Sequence, residues 1–202
     1  MKDAGSAATT KGEQTRQVIL AAAIVRFGRD GYRATSVADI AREAGVGGTV
    51  AYTYFPNKEA LFLAAIDEDA AAVIGEGLTS VIGEPLMLDW RETLVFTLLD
   101  AVESHPLARR LLSGLEPEVT SRVLEIPALN DLRKACVERL SSEQLAGTVR
   151  SDIDPLVIGN GIVAMVLSLL MSVVQVGKDT AATYAAEVSA VFAAALDPLP
   201  PR

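Results

Sequence analysis

The sequence predicts an all-α fold, in which a small N-terminal unit of three helices is followed by a larger helical C-terminal domain. The chain has 202 residues, of which 50% are hydrophobic, so it can bury a sizeable core. Apolar residues recur at helical spacing along most of its length, and no alternating strand pattern competes with them. Near the N-terminus, two short helical patterns flank Gly45, which indicates a tightly connected helix pair.

The residue types in this pair specify where each helix begins and ends. Ser36 and Asp39 have the spacing of a capping box, which satisfies the free amides at the start of a helix. Gly45 can adopt the left-handed conformation that ends the first helix, and Ala41 is small enough for the second helix to cross closely. We expect the contact between the two helices to be sealed by Ile40, Ala44, Val46, Val50 and Ala51.

The spacing of this pair is that of a helix-turn-helix, whose second helix enters the major groove of DNA. If its sealing face turns inward, the outward face lacks Arg, Lys, Asn and Gln, the side chains best suited to bidentate contacts with bases. Hydroxyl groups, close backbone approach and DNA shape would then supply the specificity. The residues expected to face the groove are Gly47, Gly48, Thr49, Tyr52 and Thr53.

The segment that follows indicates a phosphate site. Pro56 ends the second helix, and Asn57 has the residue type of an N-cap for the next one. Lys58 then places a cation in the first turn, where it opposes the helix dipole. The same helix amides and the lysine together suit a phosphate group, so this misfit predicts a contact with a polyanion.

These residues resemble the signature of the TetR family of bacterial regulators over about the first 65 residues. The resemblance implies that the matching positions Gly47 to Thr49 and Tyr52 lie in a recognition helix, while Tyr54 and Lys58 hold phosphates. We add Ser36 and Thr53 to the candidate DNA-binding residues. The chain departs from the family at Gly47, where a polar residue such as serine is usual, and at Val50, where threonine is common. The signature runs through Thr35-Ser36-Val37, Ile40-Ala41, Ala44-Gly45-Val46, Tyr52, Tyr54-Phe55-Pro56-Asn57-Lys58-Glu59 and Leu61-Phe62.

The resemblance and the helical pattern together predict the domain organisation. We expect a flexible tail (1–12), the helix-turn-helix DNA-binding domain (13–57), a helical effector-binding and dimerisation domain (58–197) and a short C-terminal tail (198–202). The last two long helices would pack against a second copy as a four-helix interface. Beyond the head, helices are expected over 58–82, 89–104, 106–113, 117–145 with an irregularity at Pro127, 155–177 and 180–196.

The larger domain carries many bulky apolar residues that could line a cavity or fill a core, and the spacing alone favours the core. His105, the single histidine, stands at a helix junction, where a cap or turn role is favoured over metal binding or proton sensing. The candidate ligand-binding residues are Trp90, Leu94, Phe96, Leu111 and Met165.

Charge is divided unevenly along the chain. The net charge is −8, yet residues 1–66 carry eight basic and six acidic residues, a net +2, which leaves −10 for the remainder. The N-terminal part therefore faces a polyanion better than the rest. The lone Cys136 excludes an intrachain disulfide, and no signal-peptide pattern is present, so we expect a cytoplasmic protein.

The uncharged segment 155–177 is long enough to cross a membrane. Its polar interruptions, with a helix start at Asp154-Pro155 and a stop at Gly177, favour a core or dimer helix, so we expect no membrane partner.

Enzyme activity is not expected, since the sequence has no glycine-rich phosphate loop, nucleophile elbow or metal-ligand spacing. No cofactor is implied. The sequence favours a ligand-responsive transcriptional regulator, a repressor that binds double-stranded DNA as a homodimer and is released by a small apolar or amphipathic effector. The alternative is a small-molecule-binding or protein-interaction module that keeps the helix-turn-helix only as structure.

Overall fold

The computed structural model describes residues 3–83, 89–177, 187–188 and 190–198. Within these residues the chain forms helices and turns without a strand, which confirms the all-α prediction. The elements are α1 (Asp3–Ala34), α2 (Val37–Glu43), α3 (Gly48–Tyr54), α4 (Lys58–Ile82), α5 (Trp90–Ser104), α6 (Pro106–Leu112), a 3-10 helix (Pro117–Glu125), α7 (Pro127–Leu145) and α8 (Pro155–Val176), and residues 190–196 are also helical.

The N-terminal head consists of α1, α2 and α3, and its helices begin and end where local chemistry predicts. The Ser36 hydroxyl accepts a hydrogen bond from the Asp39 amide at 3.1 Å and donates to the Asp39 carboxylate at 2.6 Å. Gly45 has a φ of 68°, which a side chain would strain. The Asn57 side-chain oxygen Oδ1 accepts a hydrogen bond from the Ala60 amide at 2.7 Å. These contacts confirm the predicted caps and turn.

Two expectations differ from the structure. Helix α1 already begins at Asp3, inside the segment 1–12 that we expected to be a tail, and it bends at Gly31, where φ is 81°. Residues 117–125 form a separate 3-10 helix rather than the first part of one long helix. The cause is Pro127, whose ring disfavours helical geometry in the preceding residue, and Ile126 accordingly has a ψ of 124°. The expected helix 180–196 falls in part outside the described residues.

The larger domain is built from α4 to α8, with α7 packed against both α4 and α8. Buried side chains from all five helices form a core that is continuous with that of the head. Helix α8 is long and apolar enough to cross a membrane, with a mean hydropathy of 2.3. Its buried face, which includes Ile162, Val166 and Leu170, packs in the core, as expected for an apolar core helix.

The head contacts the larger domain through α6 as well as through the continuous helix α4. Gly28 of α1 lies so close to α6 that a Cβ there would stand 2.8 Å from the Pro106 Cβ and 2.9 Å from the Leu107 backbone nitrogen. Real Cβ atoms do not approach other atoms this closely, and helix α6 cannot retreat without losing its own packing. The absence of a side chain at Gly28 therefore sets the distance between head and larger domain.

We predict that Gly28→Ala lowers the free energy of unfolding by about 1 to 3 kcal/mol, because the added methyl group overpacks the contact between α1 and α6. The matched control is Gly75→Ala in α4, where a Cβ would meet nothing within 4 Å. This control should raise the stability by about 0.5 to 1 kcal/mol through helix propensity. Urea unfolding measures both, and equal stabilisation by the two substitutions would contradict the close approach.

Candidate DNA-binding face and effector cavity

The exposed face of α3 carries the residues expected to meet DNA. Gly47, Gly48, Thr49, Tyr52 and Thr53 are all exposed, and the Tyr52 side chain is 54% accessible. Ala51 on the opposite face is fully buried, as expected of a residue that seals the helix pair. Gly47 occupies the N-cap position without a side-chain hydrogen bond, since it has no side chain to provide one. The arrangement leaves a short helix whose polar side faces solvent.

Val50 was expected to seal the helix pair, and that expectation is wrong. It is 37% exposed and lies at the edge of the outward face of α3. With only seven residues in α3, the buried contact is limited to Ala51, while Val46 beside the turn is half-buried. Val50 therefore adds an apolar group to the exposed surface, where methyl groups can contact thymine.

The expected phosphate-binding residues lie where α3 ends and α4 begins. Lys58 is half-buried, and its Nζ atom lies 4.3 Å from the centroid of the Tyr32 ring. Among the residues that the structure describes, no carboxylate lies within ion-pair distance of Lys58. Tyr54 is also half-buried and belongs to the last turn of α3. Lys58 thus presents an unpaired positive charge at the amino end of a helix, where the dipole adds positive potential.

The arginines of the head are engaged inside the molecule. Arg26 pairs with Asp30 at 3.0 Å and with Glu43 at 3.2 Å, while Arg42 pairs with Asp39. Hydrogen bonds from the Ser36 hydroxyl and then from Arg42 lower the pKa of the Asp39 carboxyl. Because the Ser36 hydroxyl serves as the cap of α2, a DNA contact by Ser36 would compete with that hydrogen bond.

Two further arginines are also paired. Arg29 lies 2.9 Å from an Asp30 oxygen, and the hydrogen bond between them lowers the pKa of the Asp30 carboxyl. Arg33, at the end of α1, pairs with Glu118 of the 3-10 helix. The arginines in the described part of the head are therefore all paired with carboxylates, and they add little free positive charge to its surface.

The larger domain contains a small apolar cavity of about 60 Å³. Every residue that lines it is apolar, so it would bind a ligand through shape and burial rather than hydrogen bonds. The lining residues are Ala70, Val73, Ile74, Leu98, Val102, Ala108, Leu111, Leu112, Val123, Ile126, Leu129, Leu132, Val163, Val166, Leu167 and Leu170.

Of the five residues proposed as ligand contacts from the sequence, Leu111 lies on the cavity wall. Trp90 and Leu94 are buried in helix packing outside the lining, whereas Phe96 and Met165 are 54% and 40% exposed. Helical spacing identifies apolar residues but does not say which of two apolar faces turns inward. We therefore revise the candidate effector contacts to the residues of the cavity wall.

Sequence reasoning missed Asp69, a carboxylate that is only 3% exposed and joins α4 to α6. One oxygen accepts hydrogen bonds from the Leu107 and Ala108 amides at 3.1 and 2.8 Å, and the other lies 2.7 Å from the His105 Nδ1. His105 itself lies at the junction of α5 and α6, as expected. The available signal was an acidic residue on the apolar face of α4, next to the buried Ile66 and Ala70.

Comparison with known proteins agrees with this geometry. Residues 19–65 match the family model described as bacterial regulatory proteins, tetR family. An uncharacterized HTH-type transcriptional regulator of Bacillus subtilis (strain 168), YdgC, is 29% identical over 187 residues, which cover 89% of this chain and 91% of the relative.

Solved structures share the fold over most of the chain. A gamma-butyrolactone receptor described as ArpA-like is 25% identical with a TM-score of 0.60, and the match covers 94% of this chain and 91% of the receptor chain. A putative TetR-family regulator from Mesorhizobium loti MAFF303099 is 20% identical with a TM-score of 0.72, and the match covers 92% of this chain and 98% of that structure's chain.

A helix-turn-helix head with an exposed second helix, joined to a helical domain of this fold, defines a transcriptional regulator of the helix-turn-helix class. Within that class the chain is similar to the TetR family, through the family-model match over residues 19–65 and the fold shared with TetR-family structures. The resemblance that the sequence carries is thereby confirmed.

We predict that Asp69→Ala lowers the free energy of unfolding by about 2 to 4 kcal/mol, because it leaves two buried amides without an acceptor. Asp69→Asn keeps one acceptor oxygen and should lose less. Glu68→Ala changes the exposed neighbouring carboxylate and serves as the control. Chemical denaturation measures all three, and an Asp69→Ala protein as stable as the control would show that the network contributes nothing.

Proposed function

We propose that the protein is a ligand-responsive repressor that binds a palindromic operator as a homodimer in the cytoplasm. One observation carries the DNA-binding part of this proposal: the exposed helix α3 is followed directly in the chain by α4, whose first residue, Lys58, is a cation without a carboxylate partner among the described residues. Side chains on α3 would contact base edges, and Lys58 would hold a phosphate beside the groove. In this arrangement the phosphate contact fixes the register in which α3 reads the bases.

A second copy of the chain is proposed because each chain carries one reading head and a free apolar surface. Leu156, Val157 and Val176 of α8 are more than half exposed, as is Val191 in the helical residues 190–196. Pairing of these surfaces in a dimer would place two heads side by side. Two half-sites about 34 to 36 Å apart would then form an inverted repeat.

We predict that Lys58→Ala weakens binding to all duplex sequences alike and lessens the salt dependence of log Kd by about one unit, because it removes one phosphate contact. Tyr52→Ala should instead lose more affinity for a selected operator than for random duplex, because Tyr52 faces the bases. Fluorescence anisotropy with fragments selected from random DNA measures both effects.

The control for the loss of a charge is Lys134→Ala, which removes an exposed lysine on α7 in the larger domain. Its affinity and salt dependence should equal those of the unsubstituted protein. If folded Lys58→Ala and Tyr52→Ala proteins both bind DNA normally, the helix-turn-helix serves only as structure, and the alternative of a binding or interaction module is favoured.

We propose a small apolar or amphipathic effector for the cavity. The wall is apolar throughout, and a protein of this fold is described as a receptor for a gamma-butyrolactone, a small molecule. Release of DNA requires that the effector prefer a state whose head spacing does not match neighbouring grooves. The effector then weakens the free energy of DNA binding by the amount of free energy with which it prefers that state, typically about 1 to 3 kcal/mol. Helix α6 supports such coupling, since it lines the cavity and also contacts α1.

We predict that a screen of apolar small molecules by thermal shift identifies compounds that raise Tm and lower DNA affinity. Val166→Phe should abolish both effects, because the larger ring fills the cavity, while operator binding persists. Leu145→Phe places the same ring at a residue of α7 that is 91% exposed, outside the cavity and the proposed dimer surface, and is the control. A screen in which no compound stabilises the protein would indicate a constitutive DNA binder.

A further inference from the structure

The ring of Tyr32 packs against two other aromatic rings, and its backbone is anchored at the joint between the head and the larger domain. Its centroid lies 4.7 Å from that of Phe62 in α4 and 6.1 Å from that of Phe27 in α1. The Tyr32 backbone N–H donates to a carboxylate oxygen of Glu116 at 3.1 Å. That oxygen also accepts from the Arg110 Nε atom at 2.6 Å. Glu116 is only 5% exposed, so the backbone of Tyr32 is anchored by a buried hydrogen bond.

The Lys58 ammonium lies over this ring, 4.3 Å from its centroid. A cation within about 6 Å of an aromatic face is attracted by the negative charge density of the ring. The attraction restricts a side chain that otherwise samples many rotamers, and it does so without neutralising the charge. A carboxylate partner, such as those of Arg26 and Arg42, would restrict the side chain too, but would also compete with a phosphate.

We propose that Tyr32 is a positioning residue for DNA binding, whose ring holds the Lys58 ammonium ready to receive a backbone phosphate. This role rests on the proposed DNA-binding function. Tyr32 contributes no base contact, so its effect on affinity is the same for every sequence. Part of the entropy that a free lysine loses on binding a phosphate is already lost in the unbound protein, which strengthens the contact. Glu116 joins the Tyr32 backbone to Arg110 of α6 and so fixes the backbone that carries the ring.

A double-substitution experiment tests this role. Tyr32→Leu removes the aromatic face and should weaken binding to selected and random duplexes alike by about two- to fivefold. Tyr32→Phe keeps the aromatic ring, so its DNA affinity should equal that of the unsubstituted protein. In a Lys58→Ala background, Tyr32→Leu should have no further effect, because no ammonium remains for the ring to position. A loss of equal size in both backgrounds would show that Tyr32 acts through packing of the head, and would overturn the proposal.

Two further measurements keep the proposal testable if Tyr32→Leu does not fold. The ε-methylene protons of Lys58 should show an upfield ring-current shift by NMR in the unsubstituted and Tyr32→Phe proteins, with Lys58→Arg identifying the resonance. Absence of that shift overturns the proposal. Failure of the positioning role is distinct from failure of the proposed function. If the protein binds DNA and Lys58→Ala binds equally well, the positioning role alone fails, whereas absence of any DNA binding by the unsubstituted protein removes both.

Discussion

The approach of α6 to α1 at Gly28 is the contact on which the relation between the two parts of the molecule depends. A Cβ at Gly28 would stand within 3 Å of α6 backbone atoms, so only glycine lets the helices meet this closely. Three residues later, Gly31 has a φ of 81° and lies against Arg110 and Glu116. The end of α1 is thereby fitted to the helix that also lines the cavity. The position of the head therefore depends on this contact with α6 as much as on the packing of α1 against α4.

Electrostatics in the head differ from what a count of charges indicates. Arg26, Arg29 and Arg42 are paired with acidic residues of the head itself, and these pairs rigidify α1 and α2. Lys58 is held by an aromatic face instead, which keeps its charge available. The arginines of the head thus pair with its carboxylates, whereas the proposed task of Lys58 is to meet an anion. Under that proposal, an N-terminal region with a net charge of only +2 would still present a positive site.

Local sequence signals predicted the helix-turn-helix well. The caps at Ser36 and Asn57, the turn at Gly45 and the bounds of α4 all depend on residues within one or two turns of each other. Contacts between residues distant in sequence were not predicted. Asp69 finds its partners in α6, and the cavity wall combines residues from five helices and the 3-10 segment. Periodicity places these side chains on a face but does not define the face they meet, which is why most of the predicted ligand contacts lie elsewhere.

The apolar wall of the cavity limits how a bound molecule can be distinguished from its analogues. Each methylene group that enters or leaves such a site changes the binding free energy by about 1 to 3 kcal/mol, so discrimination by size is gradual. Strong rejection of an analogue needs a buried polar group that the analogue leaves unpaired, and the residues of this wall provide none. Molecules of similar shape and hydrophobicity would therefore compete on nearly equal terms. The response of the regulator would follow the total concentration of a chemical class rather than that of one compound.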